Sequence, residues 1–302
     1  MRKISIFLAS LLALAAGSQN PTWAEEVKTQ FNGLTLNANL SLADGKSIED
    51  GIVLLLHGSF AHKDMEIMSA LQDGLLERGY SSLNINLSYA TDDRHGMFGC
   101  ENVQDRPDSA AIEEIGHWIG WLNDLGVDRV AGFGHSLGGN QIARFMADSG
   151  DDFLTAAVLA APPALVSINS ADNYQERHGV PLAPLLETAS ALVEAGKGKT
   201  VLEGVGFQFC ESTSVTAATF VNQYVEDPDR DTPTVLQRLD APVLVAVGTA
   251  DDVVSGLAPA MRAVDKDNVT FIEIEDAGHF FLHFFAEDLL DAAVEFLGTN
   301  AF

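Results

Sequence analysis

Gly132-Phe133-Gly134-His135-Ser136-Leu137-Gly138-Gly139 carries the spacing G-x-S-x-G from Gly134 to Gly138. That spacing lets a chain leave a strand, turn sharply at a serine and enter a helix. Glycines on either side of the serine keep Cβ atoms out of a turn where backbone segments crowd together. The outcome is an exposed hydroxyl beside the positive end of a helix, a place where negative charge can build. So short a pattern arises readily by chance in a chain with 26 glycines, so the flanking sequence has to carry the assignment.

The flanks read as alternating strands and helices. Arg129 to Phe133 is a short strand that delivers the chain to Ser136; Gly139 to Ser149 follows as a helix and Thr155 to Ala160 as the next strand. Upstream, Ile52-Val53-Leu54-Leu55-Leu56 is apolar at every position, which suits a central strand covered on both faces, and it ends in His57-Gly58-Ser59-Phe60. Met65 to Arg78 has Met68, Leu71 and Leu75 at helical spacing, Ser81 to Leu87 is a strand, and Pro107 opens a helix carrying Ile112, Ile115, Ile119 and Leu122 on one face. Val243 to Val247, Val269 to Ile274 and an amphipathic helix from Phe281 to Leu297 close the chain. Near its start, Val27 to Phe31 and Leu34 to Leu42 pair across the turn Asn32-Gly33. The expected fold is α/β, a mostly parallel, doubly wound sheet of about eight strands. Functional groups in such sheets gather at the carboxyl ends of the strands. That rule brings His57 to Phe60, Asp92 to His95, Ser136, Gly248 to Ser255 and His279 to one rim.

Composition narrows the function classes. The 302 residues suffice for one large core, and no repeat or low-complexity run interrupts them. The net charge of -26 argues against nucleic acid and anionic membranes as partners and reads as a solvated acidic surface. Residues 1–24 read as an export leader: Arg2 and Lys3, then the apolar run Ile4 to Ala16, then Thr22-Trp23-Ala24 as a small-x-small cleavage site. The apolar run is too short for a stable membrane anchor. The expected mature domain is 25–302, in the periplasm or the medium. In such an oxidising compartment the two cysteines, Cys100 and Cys210, are expected to form a disulfide; two buried thiols are the alternative.

A serine hydroxyl becomes a useful nucleophile when a base takes its proton, and the base works best when a carboxylate fixes its tautomer. Val247-Gly248-Thr249-Ala250-Asp251-Asp252 places two acids after a late strand, and Ala277-Gly278-His279 places a histidine after the last one. The chain order Ser, Asp, His suits this architecture.

With these motifs the sequence resembles the α/β-hydrolase family over essentially all of residues 25–302. His57-Gly58 after the third strand, the elbow Gly134 to Gly138, Gly248-Thr249-Ala250-Asp251 and Gly278-His279 stand in the family's order. The resemblance implies Ser136 as nucleophile, His279 as general acid/base and Asp251 as its orienting partner. Asp252 is the rival, and Asp251 is preferred because the family acid stands three residues after the glycine. An oxyanion hole would use the backbone N–H of Leu137 and one from the His57-Gly58 turn, with Ser59 preferred over Phe60. The segment from about 164 to 239, between the sixth and seventh strands, occupies the place of the family's cap. Its Phe207, Phe209, Phe220 and Tyr224 line an acyl pocket on one reading and form the cap's own core on the other. A Cys100–Cys210 bridge would staple the cap to the loop after the fourth strand.

Other candidates carry less. His283 reads as a helix-surface or packing residue, His135 as packing, and His62 and His95 as loop residues at the rim. His117 and His178 have no chemical company, and Trp118 and Trp121 read as core. Asp92, Asp93 and His95 lack a second carboxylate–histidine group, so no metal is expected. No phosphate-binding or dinucleotide motif is present, and no cofactor is expected. The sequence-level conclusion is an exported serine hydrolase acting on a small-molecule acyl substrate, with a carboxylic ester favoured. An amide or peptide substrate, transfer to an alcohol, and a non-catalytic binding module on the same fold are the alternatives.

Overall fold

The structure is a computed structural model that describes residues 24–150, 153–164 and 171–302. The leader expected over residues 1–24 therefore lies outside the described residues except for Ala24. Two strands, β1 (Glu25–Phe31) and β2 (Leu34–Ser41), form an antiparallel hairpin. Asn32 and Gly33 turn it, both at positive φ. Then β3 (Ile52–Leu56), β4 (Ser82–Asn86), β5 (Val130–His135), β6 (Leu154–Ala160), β9 (Val243–Gly248) and β10 (Val269–Ile274) lie parallel. The sheet order is β1-β2-β4-β3-β5-β6-β9-β10, with β2 antiparallel to β4.

Burial explains the order. Every residue of β3, β5 and β9 is buried, as strands covered by helices on both faces require. The helices α1 (Glu66–Glu77), α2 (Asp108–Asp124), α3 (Leu137–Asp148) and α9 (Phe284–Asn300) supply that cover. Ile115, Trp118 and Leu122 of α2 and Leu289, Ala293 and Leu297 of α9 pack into one continuous core with the strands.

Between β6 and β9 the described chain forms α4 (Ala171–His178), α5 (Leu182–Glu194), the hairpin of β7 (Val201–Phe207) and β8 (Cys210–Thr216), α6 (Ala217–Tyr224) and α7 (Thr232–Leu236); the short α8 (Leu257–Met261) follows β9. The sequence reading assigns no strand in this segment, so the hairpin is a departure from it. Glu203, Glu211 and Ser212 are exposed while Thr213 and Thr216 are buried, so the apolar alternation that marks a strand is weak; Phe207, Cys210 and Val215 are its buried apolar side chains. Together with Tyr174, Leu182, Phe220 and Tyr224 they build a second, smaller core.

That core is tied to the loop after β4. Gln104 N–H donates to Ser214 O at 2.8 Å, Thr216 N–H donates to Gln104 O at 3.0 Å, and Cys100 is disulfide-bonded to Cys210. The bridge closes a separation of 110 residues, which the chain-entropy model values at about 4–5 kcal/mol. The double variant Cys100→Ser, Cys210→Ser should therefore unfold at a clearly lower urea concentration than the parent. An unchanged midpoint would show that the crosslink contributes nothing.

Candidate active site

The turn at Ser136 forms because β5 runs straight into α3 with no spare residue. Ser136 adopts φ 55° and ψ -128°, a region that non-glycine residues avoid at about 1–3 kcal/mol. Its N–H donates to Ala160 O on the neighbouring strand at 2.8 Å, which holds the strained residue in place. Gly138 passes so close to β3 that a Cβ would stand 2.5 Å from the carbonyl oxygens of Leu56 and His57. A Cβ on Gly58 would stand 2.9 Å from Ser136 Cβ. Side chains at these two positions would push the serine out of its turn.

The rim brings Ser136, His279 and Asp251 together. His279 Nε2 lies 3.0 Å from Ser136 Oγ, and Nδ1 lies 2.8 Å from Asp251 Oδ2. The other carboxylate oxygen of Asp251 accepts from the N–H groups of Val253 and Val254 at 2.8 and 3.0 Å. Burial pushes the Asp251 carboxyl up. The hydrogen bond and charge of His279 and the two backbone donors outweigh it and hold the group below the usual carboxylate range. Asp252 is exposed, and the partner of His279 Nδ1 is Asp251.

The Leu137 N–H stands in the first turn of α3, where a helix has no acceptor of its own. Ser59 follows the carbonyl of Gly58, which is held from one side: His57 Nδ1–H donates to it at 2.9 Å and Ala61 N–H at 3.3 Å. A trans peptide points its N–H opposite to its C=O, so pinning Gly58 O also fixes the direction of the Ser59 N–H.

The residue that sequence reasoning missed here is Arg94. It is buried, and donates to Leu87 O at 2.6 Å, Gly96 O at 2.5 Å, Ala61 O at 3.0 Å, Asn86 Oδ1 at 2.6 Å and His57 Nε2 at 3.2 Å. It thus braces the loop that carries Ser59. Its neighbours drew attention instead, and they serve as ties: Asp92 accepts from Thr35 N–H at 2.6 Å, Asp93 pairs with Lys28 at 2.6 Å, and His95 bonds Glu26 at 2.8 Å. Glu26, Asp93 and His95 lie within metal-binding reach of one another, but Lys28 and Lys63 already bridge their carboxylates at 2.6 to 3.2 Å. The cluster is thus an ion-pair network.

The remaining histidines sort by contact. His135 Nε2–H donates to His279 O at 2.8 Å, so it positions the backbone of His279. His62 Nδ1 accepts from Asp64 N–H at 3.3 Å within its own loop. His117 bonds Thr29 Oγ1 at 3.0 Å, and His178 packs 4.5 Å from the Tyr174 ring. His283 departs from its expected place: it stands at the N-cap of α9 at φ 60° rather than on a helix, because the chain turns at Gly278–Phe281, with Phe281 N–H donating to Gly278 O at 3.1 Å, before the helix starts.

His57 and His135 have a consequence for stability. Burial, with Arg94 nearby, holds His57 at about 3; burial, with His279 nearby, holds His135 at about 4. Both are neutral when folded, whereas in the unfolded chain each takes up a proton near pH 6.5. As pH falls below 6.5, the unfolded state gains protons that the folded state refuses. Stability should then drop by about 1.4 kcal/mol per pH unit for each ring, down to pH 4 for His135 and pH 3 for His57. Urea midpoints should fall steadily from pH 7 to pH 5, and a flat series would contradict the buried neutral rings.

Ser136 opens into an apolar chamber of about 420 Å³, whose walls include Met65, Met97, Phe98, Phe209, Phe280 and the disulfide. The aromatic residues between β6 and β9 divide: Phe207, Phe220 and Tyr224 are buried against one another, while Phe209 at the hairpin tip is 54% exposed and faces the chamber.

The model of the α/β hydrolase family matches residues 53–292. No curated protein matches the chain in sequence. Among solved structures it is similar to Est1E from Butyrivibrio proteoclasticus with ferulic acid bound, at 17% identity over 90% of this chain and 99% of that one, TM-score 0.65. An esterase from Pyrococcus furiosus, Pf2001, is 19% identical over 92% and 90% of the two chains, TM-score 0.58. A monoacylglycerol lipase from Paleococcus ferrophilus is 19% identical over 87% and 98%, TM-score 0.59. At these identities the likeness is one of fold.

Proposed function

This chain belongs to the α/β hydrolase family, and we propose that within it the protein is an exported serine hydrolase that cleaves small carboxylic esters through an acyl-enzyme. The observation that carries this reading is the unbroken hydrogen-bonded line from Ser136 Oγ through His279 to Asp251, at 3.0 and 2.8 Å. His279 Nε2 takes the proton as Ser136 Oγ bonds to the ester carbonyl carbon. Asp251 keeps the Nδ1–H tautomer and steadies the imidazolium that forms. The oxyanion rests on the N–H groups of Leu137 and Ser59, each such donor being worth about 100-fold or more in rate. His279 then gives its proton to the departing alcohol oxygen, and water repeats the cycle to free the acid. The segment between β6 and β9 acts as the cap, and the chamber beneath it has the size of a small-ligand pocket.

Export is supported by the disulfide and by the leader-like residues 1–24. The ester preference draws support from the esterase and lipase neighbours, and the test is a substrate panel. p-Nitrophenyl esters of graded chain length should be hydrolysed and aminoacyl anilides should not, and a fluorophosphonate probe should label Ser136. Cleavage of anilides alone would make the protein a peptidase, and no labelling of the folded protein would end the serine-hydrolase reading.

A further inference from the structure

Ser136 borders two spaces of unlike character. Beside the apolar chamber lies a trough set with guanidinium and amide groups, two adjoining hollows of about 50 and 100 Å³ that share Leu137, Gln208, Gln223 and Arg230. Arg177 lines the hollow that holds Ser136, and Arg106 lines the farther one. A chain with 17 basic residues against 43 acidic ones thus places three arginines along one small trough beside the reactive serine.

Two of the three lack an acidic partner among the described residues. Arg177 donates to Gln208 O at 3.3 Å and lies 5.1 Å from the Phe209 ring. Arg106 lies over the rings of Tyr89 and Phe60 at 4.1 and 4.4 Å, and one of its guanidinium nitrogens is buried with no hydrogen-bond partner. The acids of the trough are already engaged. Asp105 is held by Lys199 at 2.8 Å, and Glu114 accepts from Ser88 N–H at 2.8 Å and from its hydroxyl at 2.5 Å. A carboxylate entering the trough would therefore meet guanidinium donors with charge to spare, the strongest pairing available to it in a protein.

The chemistry also fixes which arm of an ester enters which space. The departing alcohol oxygen has to reach His279 Nε2 to collect its proton. His279 lines the chamber and not the trough, so the alcohol arm falls in the chamber and the acyl arm in the trough. We propose that the trough is an anion subsite for the acyl arm, and that the preferred substrates are half-esters of a short dicarboxylic acid with an apolar alcohol. This rests on Ser136 as nucleophile. Ser136 Oγ bonds to the carbonyl carbon, the carbon–oxygen bond to the alcohol breaks with its electron pair on oxygen, and that oxygen takes the proton from His279. Water then restores Ser136 and releases the dicarboxylic acid, whose second carboxylate stays in the trough throughout.

The test uses three alkyl esters. Monohexyl glutarate carries the carboxylate on its acyl arm. Hexyl pentanoate lacks the charge, and 6-pentanoyloxyhexanoate is an isomer of the half-ester with the carboxylate on its alcohol arm. With alcohol or acid release as the readout, kcat/KM should be about 10-fold or more higher for monohexyl glutarate than for either comparison. The glutarate-to-pentanoate ratio should fall about 10-fold in Arg177→Gln or Arg106→Gln, with Arg177→Lys recovering part of it. Equal rates on the three esters, a preference for 6-pentanoyloxyhexanoate, or a ratio that survives both variants would overturn the proposal. Binding to the Ser136→Ala protein, followed calorimetrically, separates this from the hydrolase reading. If monohexyl glutarate binds no tighter than hexyl pentanoate, the subsite is refuted whatever Ser136 does. If it binds tighter and Arg177→Gln removes the difference while the parent protein hydrolyses nothing, the subsite stands and the hydrolase reading falls.

Discussion

Ser136→Ala is expected to lower kcat on any ester the protein cleaves by roughly 10⁵-fold or more, with little change in KM. The hydroxyl is the only group at the elbow that can form the acyl-enzyme, and Leu137 and Ser59 would still bind the carbonyl of the substrate. Residual turnover above the rate in water should remain from those donors and from substrate positioning. His279→Ala should fall about as far, and the double variant no further, because nucleophile and base act as a unit. The variant should stay folded, since alanine adopts the strained φ and ψ of Ser136 no less readily than serine does and the Ser136 N–H bond to Ala160 O is kept. An additive loss in the double variant, or ester turnover that survives Ser136→Ala, would place the nucleophile elsewhere.

The second large effect separates two adjacent acids. Asp251→Asn should lower kcat by about 10⁴-fold, because an amide that donates toward Nδ1 favours the tautomer with its proton on Nε2, the atom that has to accept from Ser136. It should also loosen the turn, since Val253 and Val254 lose a charged acceptor. Asp252→Asn should change kcat by no more than about 2-fold, because its side chain is solvated and lies apart from His279. The reverse pattern would transfer the orienting role to Asp252.

Much of the fold was legible because the parallel strands announce themselves. Five consecutive apolar residues at 52–56, bounded by a turn and followed by a helical period, have few other readings, and the same holds at 243–247; at 130–133 the run is shorter and the elbow motif that follows identifies the strand. The β7–β8 hairpin was not legible. Its strands bury polar Thr213 and Thr216 beside Phe207, Cys210 and Val215, so they carry no clean apolar alternation, and their partners Gln104 and Cys100 are remote in sequence. The start of α9 was placed three residues early, because Phe281 satisfies the helical period while its side chain is buried from a turn at φ 44°.

The site divides in the same way. Local sequence determined the elbow at Ser136 and the chain order of serine, acid and histidine, because a strand-to-helix elbow and the ends of parallel strands are built from neighbouring residues. Tertiary structure alone decided which acid meets His279, since adjacent positions on one turn point in different directions and only the packed backbone selects between them. It also decided that Arg94 turns inward to brace the loop that carries Ser59, and that Arg106 and Arg177, 71 positions apart in the numbering, share one trough. A buried charge and a pocket wall are defined by what surrounds them, and those surroundings come from segments that meet when the sheet closes and the segment after β6 folds over it.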